Sequence, residues 1–240
     1  MKIVAINGSH RGKNGNTNVM VSAFLKGAEM AGAEIANIFL MEKDIKYCLA
    51  CKTCWFNNPG KCIIKDDMAE IMSVIEDADI RILATPLYCD NISGMLNVFI
   101  NRLIITASPY WDKDKDGECR HVTRHTSPKL IMIANCGYPE RTHFQIISKW
   151  IQRVARNMNT EVIGEIYASQ GALLSSNLEE IRPIIFNYIK VLEVAGEEIA
   201  TDMKLSQKTN RLLEQKFISD EIYIQEVKRY ADYMLKNRIK

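Results

Sequence analysis

The chain has 240 residues, 47% apolar and 25% charged, with 31 basic and 29 acidic side chains for a net charge of +2. That length suits one α/β domain, with or without an appendage, and that apolar share an ordinary core. The charge balance leaves no footprint for nucleic acid or an acidic lipid surface, and no apolar run nears the ~18 residues of a membrane span.

The N-terminus, MKIVAINGSHR, has four apolar residues in a row, short of the roughly 7–15 of a secretory leader. A cytoplasmic location is expected, where thiols stay reduced. Lys2 to Ile6 reads as a buried parallel strand feeding a loop. That loop, Gly8-Ser9-His10-Arg11-Gly12-Lys13-Asn14-Gly15-Asn16-Thr17, precedes a helix capped by Asn16 or Thr17, with Val19, Met20, Ala23, Phe24 and Ala28 on its apolar face. Strand, glycine-rich loop and helix is an arrangement that holds a phosphate. Backbone amides and the helix N-terminus face the anion, the hydroxyls of Ser9 and Thr17 donate, and Arg11 supplies charge. Neither G-x-G-x-x-G nor G-x4-G-K-[ST] can be drawn here, so a single phosphate is expected, not a pyrophosphate or triphosphate.

A second strand, Glu34 to Leu40, leads into Cys48-x2-Cys51-x2-Cys54-x7-Cys62. Three thiols at i, i+3 and i+6, with a fourth after a short loop, can converge from one tight turn, as an iron–sulfur cluster requires. A turn at Asn58-Pro59-Gly60 lets Cys62 fold back toward the others. Zinc ribbons pair two separated C-x2-C knuckles, and this spacing is more compact; a zinc site, a regulatory dithiol or partly buried thiols remain the other readings. The total of seven cysteines is odd, and Cys89, Cys119 and Cys136 are scattered.

Asp67 with Glu70 predicts a capping box for a helix carrying Met68, Ile71, Met72 and Ile75. The strand Ile80 to Thr85 then runs into Pro86-Leu87-Tyr88, and Ser93 caps a helix with Met95, Leu96, Val98, Phe99 and Leu103. A polar insertion, 108–127, reads as surface loop; its Cys119-x-His121-x3-His125 lacks a fourth ligand nearby. The strand Lys129 to Ala134, the helix Phe144 to Met158 and the strand Val162 to Ala168 complete five strand–helix alternations. That order predicts an α/β fold with a doubly wound five-stranded parallel sheet. Helices are then expected over 177–202, 206–216 and 219–238, ending in a mildly basic stretch (Lys228, Arg229, Lys236, Arg238, Lys240). Residues 1–204 are read as the domain, with a cysteine-rich loop at 47–65, and 205–240 as a helical appendage.

In such a sheet the loops leaving the third and fourth strands, Thr85 to Gly94 and Asn135 to Glu140, lie beside the first loop. They offer aromatic surface, free backbone donors and small residues suited to a flat, polar-edged ring. Gly8-Ser9-x-Arg11 with Asn16-Thr17, Thr85-Pro86-x-Tyr88 and Ser93-Gly94-x-Leu96 together resemble the flavodoxin-like NAD(P)H-dependent FMN reductases over roughly residues 1–170. By that resemblance Ser9, Arg11, Gly15, Asn16 and Thr17 hold the FMN phosphate. Pro86, Leu87, Tyr88, Asp90 and Asn91 line the ring, with Cys136 and Gly137 at its other edge. The cysteine segment, followed by Asp66-Asp67-Met68, resembles the iron–sulfur flavoprotein branch of the same family. That likeness implies a [4Fe–4S] cluster ligated by Cys48, Cys51, Cys54 and Cys62. The function so implied is an FMN oxidoreductase fed by NAD(P)H or by a reduced carrier such as ferredoxin, working as a homodimer with help from the C-terminal helices. A cluster-free reductase of quinones, nitro compounds or free flavin, and a non-enzymatic carrier or redox sensor, are the alternatives. No catalytic acid or base is identified, since a flavin carries the hard chemistry itself.

Overall fold

Alternate residues of each central strand face opposite layers of helix, and the whole fold follows from that two-residue period. The computed structural model describes residues 1–237; Arg238 and Lys240 of the expected basic end, and position 238 of the expected last helix, lie outside them. Strands β1 (Lys2–Asn7), β2 (Glu34–Phe39), β3 (Ile80–Pro86), β6 (Lys129–Asn135) and β7 (Val162–Ala168) form one parallel sheet in the order β2-β1-β3-β6-β7. This is the expected five-stranded doubly wound sheet, with the reversal of strand order between β1 and β3.

Ile3, Ala5, Ile80, Ile82 and Ile131 face a layer made of α1 (Asn16–Met30) and α6 (Arg182–Asp202). Val4, Ile6, Leu83, Leu130 and Met132 face α3 (Met68–Ile75), α4 (Gly94–Arg102) and α5 (Gln145–Asn157). Helices α1 and α6 cross at backbone contact. A Cβ on Gly27 would lie 1.7 Å from the Glu193 carbonyl oxygen, and one on Gly196 would lie 1.9 Å from that of Phe24. Two helix-interior glycines, each costing about 1 kcal/mol of propensity against alanine, are thus retained for close approach.

Several local expectations are corrected. The insertion is not a loop but an antiparallel hairpin, β4 (Ala107–Lys113) with β5 (Cys119–Thr123), tied to α5 by Arg156 and Asp114 at 2.6 Å. Its alternating pattern is weak because most of its residues are exposed on both faces. Asp67 takes the N-cap position of α3 but makes no side-chain capping bond; its carboxylate accepts from the Asp44 amide, while Asp66 accepts from the Met68 amide at 3.2 Å. The helix expected from 177 begins at Arg182, with a 3-10 turn at Gly171–Ser175 before it and Pro183 in its first turn. By contrast Ser93 caps α4 as expected, its hydroxyl accepting from the Leu96 amide.

The chain after α6 continues through α7 (Gln207–Leu213) to α8 (Asp220–Asn237). Leu205, Leu213, Phe217 and Tyr223 join the α1/α6 core, and the buried Gln170 side chain bonds the backbone of Phe217 and Ile218. Beyond Tyr223, α8 is largely exposed. Among the described residues no helix is long and apolar enough to cross a membrane.

The helix crossing yields a direct expectation. Gly196→Ala and Gly27→Ala each drive a methyl into backbone, and each is expected to lower unfolding stability by about 3 kcal/mol or more. Urea titration followed by circular dichroism checks this; Gly94→Ala, where an added Cβ meets nothing within 4 Å, serves as the neutral control.

Candidate functional site

Three loops leave β1, β3 and β6 at the point where strand order reverses, the place where open α/β sheets bind ligands. In the first, Asn7 Oδ1 accepts from the Ser9 amide at 3.1 Å, and Ser9 Oγ accepts from the Arg11 amide at 3.3 Å. Gly12, with φ +50°, opens a single 3-10 turn, and Gly15 sits at the N-cap of α1. Asn16 and Thr17 therefore do not cap the helix, as the sequence suggested; they form its first turn, where amides have no intrahelical acceptor. Thr17 Oγ1 accepts from Asn135 Nδ2 at 2.8 Å, which leaves its own proton free to donate. A Cβ at Gly15 would stand 2.4 Å from Ser9 Oγ, so only glycine keeps that hydroxyl in place.

The result is a cradle of buried Ser9 and Thr17 hydroxyls and unpaired helix-start amides, with the exposed Arg11 at its lip. Its donors suit one phosphate group. Beside it the Asn16 amide oxygen is buried without a partner, an acceptor that a ligand hydroxyl would satisfy.

The second loop is a tight turn in which Tyr88 and Asn91 exchange two backbone hydrogen bonds at 3.0 Å. Cys89 (φ 49°) and Asp90 (φ 57°) between them are both left-handed without being glycine, a conformation that costs of order 1 kcal/mol each. Thr85 Oγ1 accepts from the Ser93 amide and donates to the Pro86 carbonyl, and the Leu87 amide bonds Asn135 O, so the turn is held from both sides. Tyr88 is 53% exposed and meets His10 edge-on at 5.4 Å, so an aromatic face is presented to the crevice with little else covering it.

In the third loop Cys136 is buried, and burial pushes its thiol up to about 11, which keeps it protonated. Gly137 O accepts from Tyr223 Oη at 2.7 Å, bringing the start of α8 to the crevice. The Asp90 carboxylate is engaged by His143 Nδ1 at 2.8 Å, and that imidazole is stacked on Tyr138 at 4.1 Å. The structure thus gathers Ser9, Arg11, Gly15, Asn16, Thr17, Pro86, Leu87, Tyr88, Asp90, Asn91, Cys136 and Gly137 onto the three neighbouring loops. Sequence reasoning placed Asn135 in the third loop but missed its bond to Thr17, and it missed His143 and Tyr223. As a polar residue closing an apolar strand, Asn135 ends β6; the other two carry no local signal.

The four clustered cysteines form a separate site. Cys48, Cys51, Cys54 and Cys62 line one small cavity of about 70 Å³, walled by Ile63, Ile64, Ile104 and Ile105 and bordered by Arg102. Burial, then the nearby Cys62, Cys48 and Cys51 sulfurs, push the Cys54 thiol up. Ala50 (φ 52°) and Lys52 (φ 56°), on either side of Cys51, are left-handed non-glycine residues. Among the described residues no three His, Cys, Asp or Glu side chains converge as ligands of one metal ion. A cluster asks for something different: it takes four thiolates, one on each iron, and the four cysteines border one common cavity. The donor set fits that demand.

Asp66 anchors the loop. Its carboxylate takes Arg102 Nη1 and Nη2 at 2.5 and 3.2 Å and the Lys46 amide at 2.9 Å, with both side chains of the ion pair fully buried. The hairpin closes the other side. Trp55 Nε1 donates to Ile104 O, its ring lies 4.7 Å from His121, and Arg124 reaches Cys54 O. A larger cavity, about 520 Å³, lies beneath the hairpin between α4 and α5, away from the crevice.

Residues 1–172 match the family described as NADPH-dependent FMN reductase. An iron–sulfur flavoprotein of Archaeoglobus fulgidus is 39% identical over 104 residues, covering 43% of this chain and 46% of that protein. One of Methanocaldococcus jannaschii is 35% identical over 102 residues, covering 42% and 51%. The matched part thus spans about half the length of these relatives. Among solved structures, an FMN-dependent NADH-azoreductase from Bacillus anthracis, in complex with FMN, superposes with a TM-score of 0.60 at 14% identity, over 83% of this chain and 99% of that one. An NAD(P)H:quinone oxidoreductase from Methanothermobacter marburgensis gives 0.58 at 14%, over 82% and 95%. These likenesses establish a flavodoxin-like fold.

The Asp66–Arg102 pair has a pH signature. Burial alone would raise the Asp66 carboxyl; Arg102 and the Lys46 and Met68 amides outweigh it and hold the pKa below the usual value of 3.8. The pair's stabilisation is therefore complete above about pH 4 and fades as pH falls through the lowered pKa. Asp66→Asn is expected to cost about 3 kcal/mol near neutrality and to converge on wild type in acid. Urea unfolding at stepped pH tests this, and a difference independent of pH would refute it.

Proposed function

The chain belongs to the NADPH-dependent FMN reductase family, and from that premise we propose an FMN-dependent oxidoreductase that couples its flavin to a [4Fe–4S] cluster on Cys48, Cys51, Cys54 and Cys62. The observation that carries the flavin part is the cradle at the start of α1, a single-phosphate site built from buried hydroxyls and free amides at the sheet's switch point. Electrons enter from NAD(P)H or from a reduced carrier such as ferredoxin. The reducing cytoplasm suits a protein whose working groups are thiols.

Each group of residues has a separable task. Ser9, Thr17 and the first-turn amides of α1 bind the phosphate, and Arg11 supplies charge at the lip. Asn16 Oδ1 accepts from a ribityl hydroxyl. Leu87 to Asn91 orient the ring, because the Thr85 and Asn135 bonds prevent that turn from yielding. The Cys136 and Gly137 backbone closes the far edge, held by Tyr223. Bound FMN would supply two-electron uptake and one-electron release; the protein sets its position and the polarity around it. The iron–sulfur part is supported by the common cavity of the four cysteines and by the likeness to iron–sulfur flavoproteins.

We also infer a homodimer. Ile224, Val227, Tyr230 and Leu235 of α8 are exposed, an unusual amount of apolar surface for one helix in water. Its first turn is acidic (Asp220, Glu221) and its last turn basic (Lys236), with Glu226, Lys228, Arg229 and Asp232 mixed between them, so two copies in antiparallel contact would pair opposite charges at their ends. Deleting residues 225–240 leaves the buried Tyr223 in place and is expected to shift the protein to monomer by analytical ultracentrifugation; an unchanged assembly refutes the role of α8.

The flavin reading is tested by binding. FMN is expected to bind at least about 100-fold more tightly than riboflavin, about 2.7 kcal/mol for the phosphate. Gly15→Ala, which displaces Ser9, should collapse that ratio to below about tenfold, measured by flavin fluorescence quenching. Protein that stays colourless and refuses excess FMN sinks the whole proposal. Iron and acid-labile sulfide near four each per chain after anaerobic purification support the cluster. Bound flavin without iron instead identifies a cluster-free reductase.

A further inference from the structure

We infer that Arg102 positions the cysteine loop and compensates charge for the cluster, a role that rests on the iron–sulfur reading above. Its side chain is 1% exposed, and a buried guanidinium demands partners. Asp66 takes the fork with two bonds, and Nη1 also donates to Lys46 O at 2.7 Å, two residues before Cys48. Asp66, four residues after Cys62, is bonded to the Lys46 amide as well. Both ends of the cysteine segment, Lys46 and Asp66, are therefore tied to one side chain on the last residue of α4.

That side chain also borders the cavity itself. Arg102 lies beside Cys62 and lines the cavity that the four cysteines share, whereas Asp66 does not line it. The rest of the wall is mainly hydrocarbon, and Lys52, the other charged lining residue, is exposed to solvent. The pair is neutral as a whole but turns its positive end to the sulfurs. Four thiolates around a cluster core carry net negative charge, and one-electron reduction adds one more with no proton needed. A fixed cation at an apolar wall favours the reduced form, since the attraction is stronger there than in water. Arg102 thereby raises the cluster's midpoint potential, easing acceptance of electrons from the flavin.

Two variants separate position from charge. Arg102→Lys keeps the charge but loses the fork; the double variant Asp66→Asn with Arg102→Gln removes both charges while leaving hydrogen-bonding side chains in the cavity wall, so the fold is preserved. Anaerobic iron and sulfide content, thermal unfolding and an EPR-monitored redox titration are measured on each. In the double variant the ratio of reduced to oxidised cluster at fixed poise should fall about tenfold, a shift of about 59 mV for one electron. In Arg102→Lys the potential should stay near wild type while iron occupancy falls by half or more. Folded double variant that cannot retain iron supports the positioning role. Full occupancy and an unmoved potential in both variants overturn the inference alone, leaving the cluster reading intact. Wild-type protein without iron overturns both.

Discussion

A single buried ion pair, Asp66 with Arg102, decides whether the cysteine segment is a site or a loose excursion. Residues 47–65 carry a four-residue helix, α2 (Thr53–Phe56), and join no strand of either sheet, so the segment has little regular structure of its own. Ordering such a stretch costs about 1–2 kcal/mol of backbone entropy per residue. Its returns come from its two ends, closed on each other through Arg102, and from the cover that Trp55 and Arg124 provide with the hairpin. Buried charge is expensive, and the pair stabilises only because each partner's remaining bonds are filled by Lys46 and Met68 backbone.

Helix α4 connects this anchor to the crevice. Ser93 caps its first turn and bonds the Thr85 hydroxyl, which fixes the loop proposed to hold the flavin ring. Arg102, at its last turn, fixes the cysteine loop. Nine residues at about 1.5 Å each separate the two ends by about 13 Å, and the helix is rigidly seated through buried Leu96 and Phe99. The two sites are thus joined by one short helix packed on the sheet, with no mobile linker between.

The sequence made the sheet legible because its three central strands, β1, β3 and β6, are mainly apolar runs ending at Asn7, at Thr85-Pro86 and at Asn135. The cradle was legible for a related reason: glycine and hydroxyl residues between strand and helix leave few structural alternatives. Less readable were features set by distant partners. The hairpin at 107–123 lacks a buried face of its own. Asp67 looked like a cap, yet Asp66 supplies the α3 amide bond, because the loop also needs carboxylates for Asp44, Lys46 and Arg102. Tyr223 reaches the crevice from 86 residues beyond Gly137, a contact no local pattern encodes. The cysteine spacing announced a shared site, but the residue that organises it, Arg102, sits forty residues downstream in what reads as an ordinary helix end.

Backbone strain is a feature of both sites, though not of them alone. Among the described residues seven non-glycine positions have positive φ; Asn159, Gln170 and Met203 lie elsewhere, while Ala50 and Lys52 flank Cys51, and Cys89 and Asp90 form the turn beside Tyr88. Glycine at these four positions would relieve the strain at little geometric cost. It would also free the chain to move, since glycine gives up more conformational entropy on folding and holds its dihedral angles less tightly. For the proposed flavin turn and the proposed cluster loop, stiffness is the gain set against that loss of stability. The surrounding bonds supply what the strain consumes: Thr85, Ser93 and Asn135 around the first turn, Asp66 and Arg102 around the second. Rigid geometry at the loops, purchased from a well-packed sheet, is how this fold would keep redox groups in place without enclosing them.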